Sequence, residues 1–302
     1  MSENQDDCGS CKDESCPAKG MKPGESPEQL VERQAINRRM CRIKHKVIVM
    51  SGKGGVGKTT VAVNLAVSLA RERNMVGIMD ADIHGPNVPK MTGANIHKIY
   101  ATENSLIPVE VGPNLKVMSM ALLLKKEDEA VIWRGPMKMG LIKQFLKDVE
   151  WGDLDYLIID APPGTGDEPL SVVQLIEDLD GAIIVTTPQD IALLDVRKSI
   201  TFCKHLKIDV LGIVENMSGF VCPHCGEKSD IFKSGGGLKL ANDERIRFLG
   251  AIPIDGDIVQ HSDAGGTLVK ARPKGTVAKS FTAIRENLEN VLAARNKDRK
   301  KE

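Results

Sequence analysis

Three groups of residues in this chain have the types and spacing for chemistry. The first is Ser51-Gly52-Lys53-Gly54-Gly55-Val56-Gly57-Lys58-Thr59-Thr60, which contains G-x-x-x-x-G-K-T. Glycines at these positions let the backbone curl so that successive N–H groups point inward at a phosphate. A helix starting after Gly57 adds the positive end of its dipole. Lys58 is then placed for the β- and γ-phosphates and the Thr59 hydroxyl for Mg²⁺. Lys53 is a second lysine that an ordinary phosphate loop does not need, because two adjacent cations repel unless more negative charge is present. It suits a different nucleotide, such as one held by a partner subunit; the alternative is a solvated loop lysine.

The second group is acidic. Asp80 and Asp82 lie in Met79-Asp80-Ala81-Asp82-Ile83-His84-Gly85-Pro86-Asn87. Asp160 and Gly164 lie in Ile159-Asp160-Ala161-Pro162-Pro163-Gly164-Thr165-Gly166-Asp167. Each follows an apolar run, and in parallel α/β sheets ligands sit outside the carboxyl ends of the strands. Asp160 suits a carboxylate holding Mg²⁺ through water, Asp82 a residue orienting the attacking water, and the Gly164 N–H a sensor of the γ-phosphate. The bland reading of either acid is a helix cap. His84 reads as loop architecture, since phosphoryl transfer needs positioning and charge more than a proton shuttle.

The third group is cysteine. Cys222-Pro223-His224-Cys225 forms a close pair, and Cys8, Cys11 and Cys16 cluster near the N-terminus. The odd total of seven and the absence of an export signal argue against a disulfide framework. A zinc knuckle needs two more ligands than Cys222 and Cys225 supply. A redox dithiol wants the pair at a helix N-terminus. A cluster shared across a two-fold axis needs only two thiolates per chain to reach the four of a [4Fe–4S] site. A purely structural turn is the fourth reading. Three N-terminal thiolates cannot complete a four-cysteine site; Cys41 or a partner chain could add one, one iron could stay open, or the tail could bind nothing. Cys203 is most simply a core residue.

These groups need a scaffold, and the hydrophobic pattern supplies one. Val47–Met50, Met75–Met79, Leu115–Met120, Tyr156–Ile159, Ala182–Thr186, Val210–Val214 and Phe248–Ala251 read as buried strands. Helices are expected from about Lys58 to Arg73, over Met137–Val149 and over Ile191–Leu206. Val277, Phe281, Ile284, Leu288 and Val291 give a last amphipathic helix. The alternation predicts an α/β fold, a doubly wound and mostly parallel sheet with helices on both faces. Residues 1–30 read as a flexible Cys-containing tail and 31–44 as a basic, solvated linker helix. Residues 45–294 form the P-loop domain, and 295–302 a disordered charged tail.

Composition narrows the function. Among 302 residues, 41 basic side chains balance 41 acidic ones and aromatics are only 3%. This argues against a dedicated nucleic-acid binder. No apolar run approaches the ~18 residues that span a bilayer. With no apolar leader at the N-terminus, a cytoplasmic protein is expected.

The combined motifs are familiar. SGKGGVGKTT with Lys53 resembles the deviant Walker A loop of the nitrogenase-iron-protein, septum-positioning and partition ATPases. MDADIHGPNVP, IIDAPPGTGDE and ENMSGFVCPHCG resemble the Mrp/ApbC family of iron–sulfur cluster carrier ATPases, from about residue 44 to about residue 290. The resemblance implies a homodimer that binds and slowly hydrolyses ATP with Mg²⁺. Gly52 to Thr60 would cradle the phosphates, and Lys53 would reach the partner's nucleotide. Asp82 would fall in one switch and the Asp160–Gly164 segment in the other, while Asn216, Pro253 and Asp255 would lie at the adenine. Cys222 and Cys225 would share a labile [4Fe–4S] cluster, received from cluster donors and passed to apo iron–sulfur proteins. The tail departs from the pattern, because the eukaryotic scaffolds of this kind carry four N-terminal cysteines. Two other classes compete. A positioning or partition ATPase would leave the Cys pair unexplained, and an ATP-driven electron donor would space its cluster cysteines far apart.

Overall fold

The computed structural model describes residues 20–83, 85–102, 105–124, 135–222 and 224–299. Cys8, Cys11, Cys16 and His84 therefore lie outside the described residues.

Helix α1 (Pro27–Met40) leads into β1 (Ile43–Met50), α2 (Lys58–Arg71), β2 (Val76–Asp80) and α3 (Val88–Thr92). A small hairpin, β3 (Tyr100–Ala101) and β4 (Leu106–Ile107), precedes β5 (Val109–Gly112) and β6 (Leu115–Ser119). Then follow α4 (Gly135–Asp148), β7 (Leu154–Asp160), α5 (Asp167–Leu175), β8 (Gly181–Thr186), α6 (Asp190–His205) and β9 (Val210–Glu215). A second hairpin, β10 (Phe220–Val221) and β11 (Lys228–Ser229), comes before α7 (Gly236–Glu244) and β12 (Phe248–Ala251). Helices α8 (Gly256–Asp263), α9 (Leu268–Ala271) and α10 (Thr276–Arg299) complete the described chain.

The main sheet has eight strands in the order β12-β9-β8-β1-β7-β2-β6-β5. All its pairings are parallel except β5 with β6, which run antiparallel at one edge. Both faces of the central strands are covered, so successive residues of β1 enter opposite cores. Val47 and Val49 join the cluster under α2 and α10, whereas Ile48 and Met50 join the cluster under α1 and α4. That is why the strand reads as an unbroken apolar run and not as an alternation. The α10 stripe of Val277, Phe281, Ile284 and Leu288 is fully buried. Gly250 in β12 lets that helix close, because a Cβ there would sit 2.7 Å from Ile284 Cγ1.

Two boundaries differ from the sequence expectation. Residues 31–44 are not a solvated linker: α1 begins at Pro27, and its Ile36 and Met40 are 3% and 1% exposed within the α4-side core. Arg38, Arg42 and Lys44 are exposed, so charge counting saw the surface and missed the buried stripe. At the other end α10 continues to Arg299, and Arg295 pairs with Asp209, so residues 295–299 are helical rather than disordered.

Candidate functional site

The parallel sheet brings the carboxyl ends of β1, β2, β7 and β9 to one edge, and the predicted site residues gather there. The loop after β1 turns on Gly55 and Gly57, whose φ angles of +80° and +82° lie in the left-handed region. Gly52 packs so closely on α6 that a Cβ would come 2.4 Å from the Asp195 carbonyl oxygen. Helix α2 then starts at Lys58 with no side chain capping it. Its first-turn N–H groups are thus available to an anion, the arrangement a phosphate group fits.

Lys58 is almost fully buried, and its Nζ lies 2.6 Å from Asp160 Oδ1. Thr59 Oγ1 donates to Asp160 Oδ2 at 2.6 Å. Asp80, at the end of β2, stands directly beside Asp160 in the β2–β7 register and is also buried. It accepts hydrogen bonds from Ser119 Oγ at 2.9 Å and from the Asp82 N–H at 3.2 Å. Burial, followed by the charge of Asp160, pushes the Asp80 carboxyl well above the usual range. Burial also raises Asp160, although Lys58 opposes it, and the nearby charge of Asp82 adds to the rise. One lysine therefore faces two buried carboxylates, so the donor set accommodates a further cation, as a magnesium–nucleotide site requires. Asp80 was not singled out among the site residues from sequence. The signal was present, since it ends an apolar strand as Asp160 does.

Asp82 is half-buried and accepts from the Gly85 N–H at 3.3 Å. Lys53 is partly exposed at the loop rim, with no ion pair among the described residues. Gly164 differs from expectation. With φ at +90°, its N–H donates to the Ser51 carbonyl at 2.8 Å. In this conformation it ties the segment after β7 to the phosphate loop instead of presenting a free N–H. Asn216 is buried beneath the loop, where Nδ2 donates to the Val56 carbonyl at 2.9 Å. Pro253 follows β12, and Asp255 caps α8 by accepting from the Asp257 N–H at 2.9 Å.

Cys222 and Cys225 occupy the tip of the β10–β11 hairpin. The Gly226 N–H donates to the Cys222 carbonyl at 2.8 Å, with Gly226 at φ +72°. Hydrogen bonds from the backbone N–H of Cys225, then from that of His224, and then from the Cys225 thiol hold the Cys222 thiol below its ordinary range. A lowered thiol pKa raises the share of thiolate, the form of cysteine that binds metals. Among the described residues, no group of three or more His, Cys, Asp or Glu is assembled as a metal site. The pair therefore offers two ligands. Apolar side chains flank it on the same excursion: Val221, Ile231 and Phe232 are 41%, 56% and 43% exposed. Cys203 is fully buried, and burial pushes its thiol up to about 11, as befits a core residue. A separate cavity of about 620 Å³, lined in part by Arg71, Leu115 and Lys270, opens near the far end of α2. By the length of that helix it lies roughly 20 Å from the phosphate loop.

A phosphate loop on β1, buried acids on β2 and β7, and helices on both faces of a mostly parallel sheet define a P-loop NTPase. Residues 42–289 match the ParA family model described as the NUBPL iron-transfer P-loop NTPase, and the chain belongs to that family. It is 50% identical over 262 residues to an iron-sulfur cluster carrier protein from Methanocaldococcus jannaschii, covering 86% of this chain and 89% of the relative. It is 49% identical over 251 residues to a cytosolic Fe-S cluster assembly factor Nubp2 homolog from Aedes aegypti, covering 82% and 97%. Among solved structures, a nucleotide-binding protein from Archaeoglobus fulgidus in complex with ADP, with cobalt found, is similar at a TM-score of 0.69 and 44% identity. That likeness covers 77% of this chain and 91% of the other. The cell division ATPase MinD of Pyrococcus furiosus shares the fold at a TM-score of 0.58 and 24% identity, covering 82% and 99%.

Proposed function

We propose that this protein is a slow ATP hydrolase that carries a labile [4Fe–4S] cluster between two copies of itself and hands it to apo-proteins in the cytosol. The observation that carries this reading is the pair of thiols, one already biased toward thiolate, on the rim that also bears the phosphate loop. Two thiolates per chain make four in a two-fold dimer, the number such a cluster takes. The names of the relatives point the same way. Among the described residues no helix is long and apolar enough to cross a membrane, which suits a cytosolic carrier.

The chain's own residues divide the work of hydrolysis. Bound Mg²⁺–ATP supplies the phosphoryl group and the charge of the metal. Loop N–H groups from Gly54 to Thr60 and the uncapped start of α2 bind phosphate oxygens, and Lys58 neutralises the charge that builds on them. Thr59 and Asp160, already joined by a hydrogen bond, are the metal-side pair. Asp82 orients water. Lys53, at the rim with no ion pair among the described residues, serves the partner's nucleotide. Asn216, Pro253 and Asp255 border the base. The cluster is cargo, gripped by Cys222 and Cys225.

Anaerobic reconstitution with iron and sulfide tests the reading. About four irons per dimer are expected, with loss of the cluster in Cys222→Ala and in Cys225→Ala. Retention in both variants refutes the shared site. A version lacking residues 1–26 that keeps its cluster shows that the N-terminal cysteines are not the ligands. Activation of an apo-dehydratase by the loaded protein separates a carrier from an electron donor.

A further inference from the structure

Glu215 ends β9 with 0% exposure, yet among the described residues no lysine or arginine forms an ion pair with it. Its carboxylate is satisfied by three donors from both ends of one excursion. Ser218 Oγ, on the way out to the cysteine hairpin, donates to Oε1. On the way back the Gly235 N–H donates to Oε1 at 2.9 Å and the Gly237 N–H donates to Oε2. Gly237 is pressed against it, since a Cβ there would lie 3.1 Å from Glu215 Oε2. The Glu215 carbonyl accepts from the Ile252 N–H at 2.8 Å, which fixes the backbone of the clamp to the exit of β12.

The next residue faces the other way. Asn216 Nδ2 donates to the Val56 carbonyl in the phosphate loop at 2.9 Å, and a Cβ on Gly57 would lie 2.2 Å from that nitrogen. Two consecutive side chains thus grip the two parts of the site. One holds the phosphate loop, and the other holds both stems of the segment 218–235 that carries Cys222 and Cys225. Met217, at φ +58°, and Gly219, at φ +70°, turn the chain sharply between clamp and hairpin. Removing a carboxylate from water is costly unless its hydrogen bonds are kept. The stems therefore cannot leave Glu215 singly, and a displacement of the loop at Val56 reaches them through one peptide unit.

We propose that Glu215 is a positioning residue that couples nucleotide at the phosphate loop to the geometry of the cysteine pair. This rests on the reading of that loop as a nucleotide site and deepens the carrier function, because it names the residue through which ATP alters the grip on cargo. The coupling is reciprocal, as any linkage between two sites must be.

The test reads sulfur chemistry and needs no cluster. In the full-length apo protein, the rate of Cys222 alkylation by iodoacetamide is followed by peptide mass spectrometry, with and without magnesium and a slowly hydrolysed ATP analogue. The wild type is expected to change rate by about fivefold or more on adding nucleotide, the scale of an ordinary allosteric coupling. Glu215→Gln puts an amide N–H₂ where a carboxylate oxygen accepts, and should abolish that response while nucleotide still binds. Ser218→Ala removes one donor from one stem and should weaken the response without unfolding the protein. Should Glu215→Gln fail to fold, Ser218→Ala decides the matter. An unchanged response in the variants, or none in the wild type, overturns the coupling. Failure of the wild type to assemble a cluster overturns the carrier reading alone, so the two outcomes are distinguishable.

Discussion

At the scale of single residues, the site is a problem of unbalanced charge. Asp80 and Asp160 are buried side by side, and Lys58 neutralises one of them. Both carboxyls are raised above their unfolded values, so between those values the folded chain binds more protons than the unfolded chain. The stability this contributes is fully present below the unfolded pKa of about 3.9 and is lost as pH rises through the folded values. Asp80→Asn should therefore make the nucleotide-free protein melt higher than the wild type at pH 8, by ~1–2 kcal/mol or a few degrees. The gap should close toward pH 4, and thermal melts across that range check it. The same variant should bind magnesium–ATP less well. Sulfur follows the same logic, with one thiol shifted each way. The Cys222 thiol is lowered and the Cys203 thiol raised, so near pH 8 iodoacetamide should modify Cys222 far faster than Cys203, as peptide mass spectrometry will show. Lys58 and Asp160, which the structure brings together, were singled out from sequence because each stands in a motif of local spacing. Asp80 was harder to single out, because its importance comes from lying beside β7, a contact between segments 80 residues apart.

At the scale of elements, strands buried on both faces were the easiest to read. The sequence placed all seven parallel strands within a few residues, because a short apolar run between turns has few alternatives in an α/β chain. Helix α1 was misjudged for a physical reason. Its three arginines stand among other polar residues, while only Ile36 and Met40 are fully buried, so its amphipathic signal is weak. Its start was nevertheless written in the chain. Ser26-Pro27-Glu28-Gln29 forms a capping box, with the Ser26 hydroxyl accepting from the Gln29 N–H at 3.2 Å and the Ser26 N–H donating to Gln29 Oε1 at 2.9 Å. If α1 belongs to the core, Met40→Ala should cost about 2–5 kcal/mol in denaturant unfolding, as for other buried methionines. A solvated linker would lose almost nothing. The short β10–β11 hairpin escaped sequence reading altogether, since two residues per strand leave no periodicity to detect.

At the scale of the whole molecule, the rim looks unfinished as a single copy. Lys53 has no acidic partner among the described residues, and Cys222 and Cys225 provide half of a four-ligand site. Val221, Ile231 and Phe232 expose apolar surface beside them, and Leu194, next to the residue on which Gly52 packs, is 62% exposed. Charge and apolar area left open together are what a second copy would cover. Replacing both Ile231 and Phe232 with glutamate places like charges on each side of such an interface without touching the phosphate loop. The double variant should bind nucleotide as the wild type does but remain a monomer with magnesium–ATP in light scattering after size exclusion. Its turnover per protomer should fall about tenfold or more, which corresponds to ~1.4 kcal/mol of lost transition-state stabilisation. If the charge of Lys53 is needed only once two copies meet, Lys53→Ala should slow hydrolysis while leaving both nucleotide affinity and dimerisation intact. Wild-type turnover per protomer should rise with protein concentration until the dimer saturates. A rate per protomer that stays flat on dilution while the protein becomes monomeric would mean that each copy hydrolyses ATP alone, and that Lys53 serves its own chain.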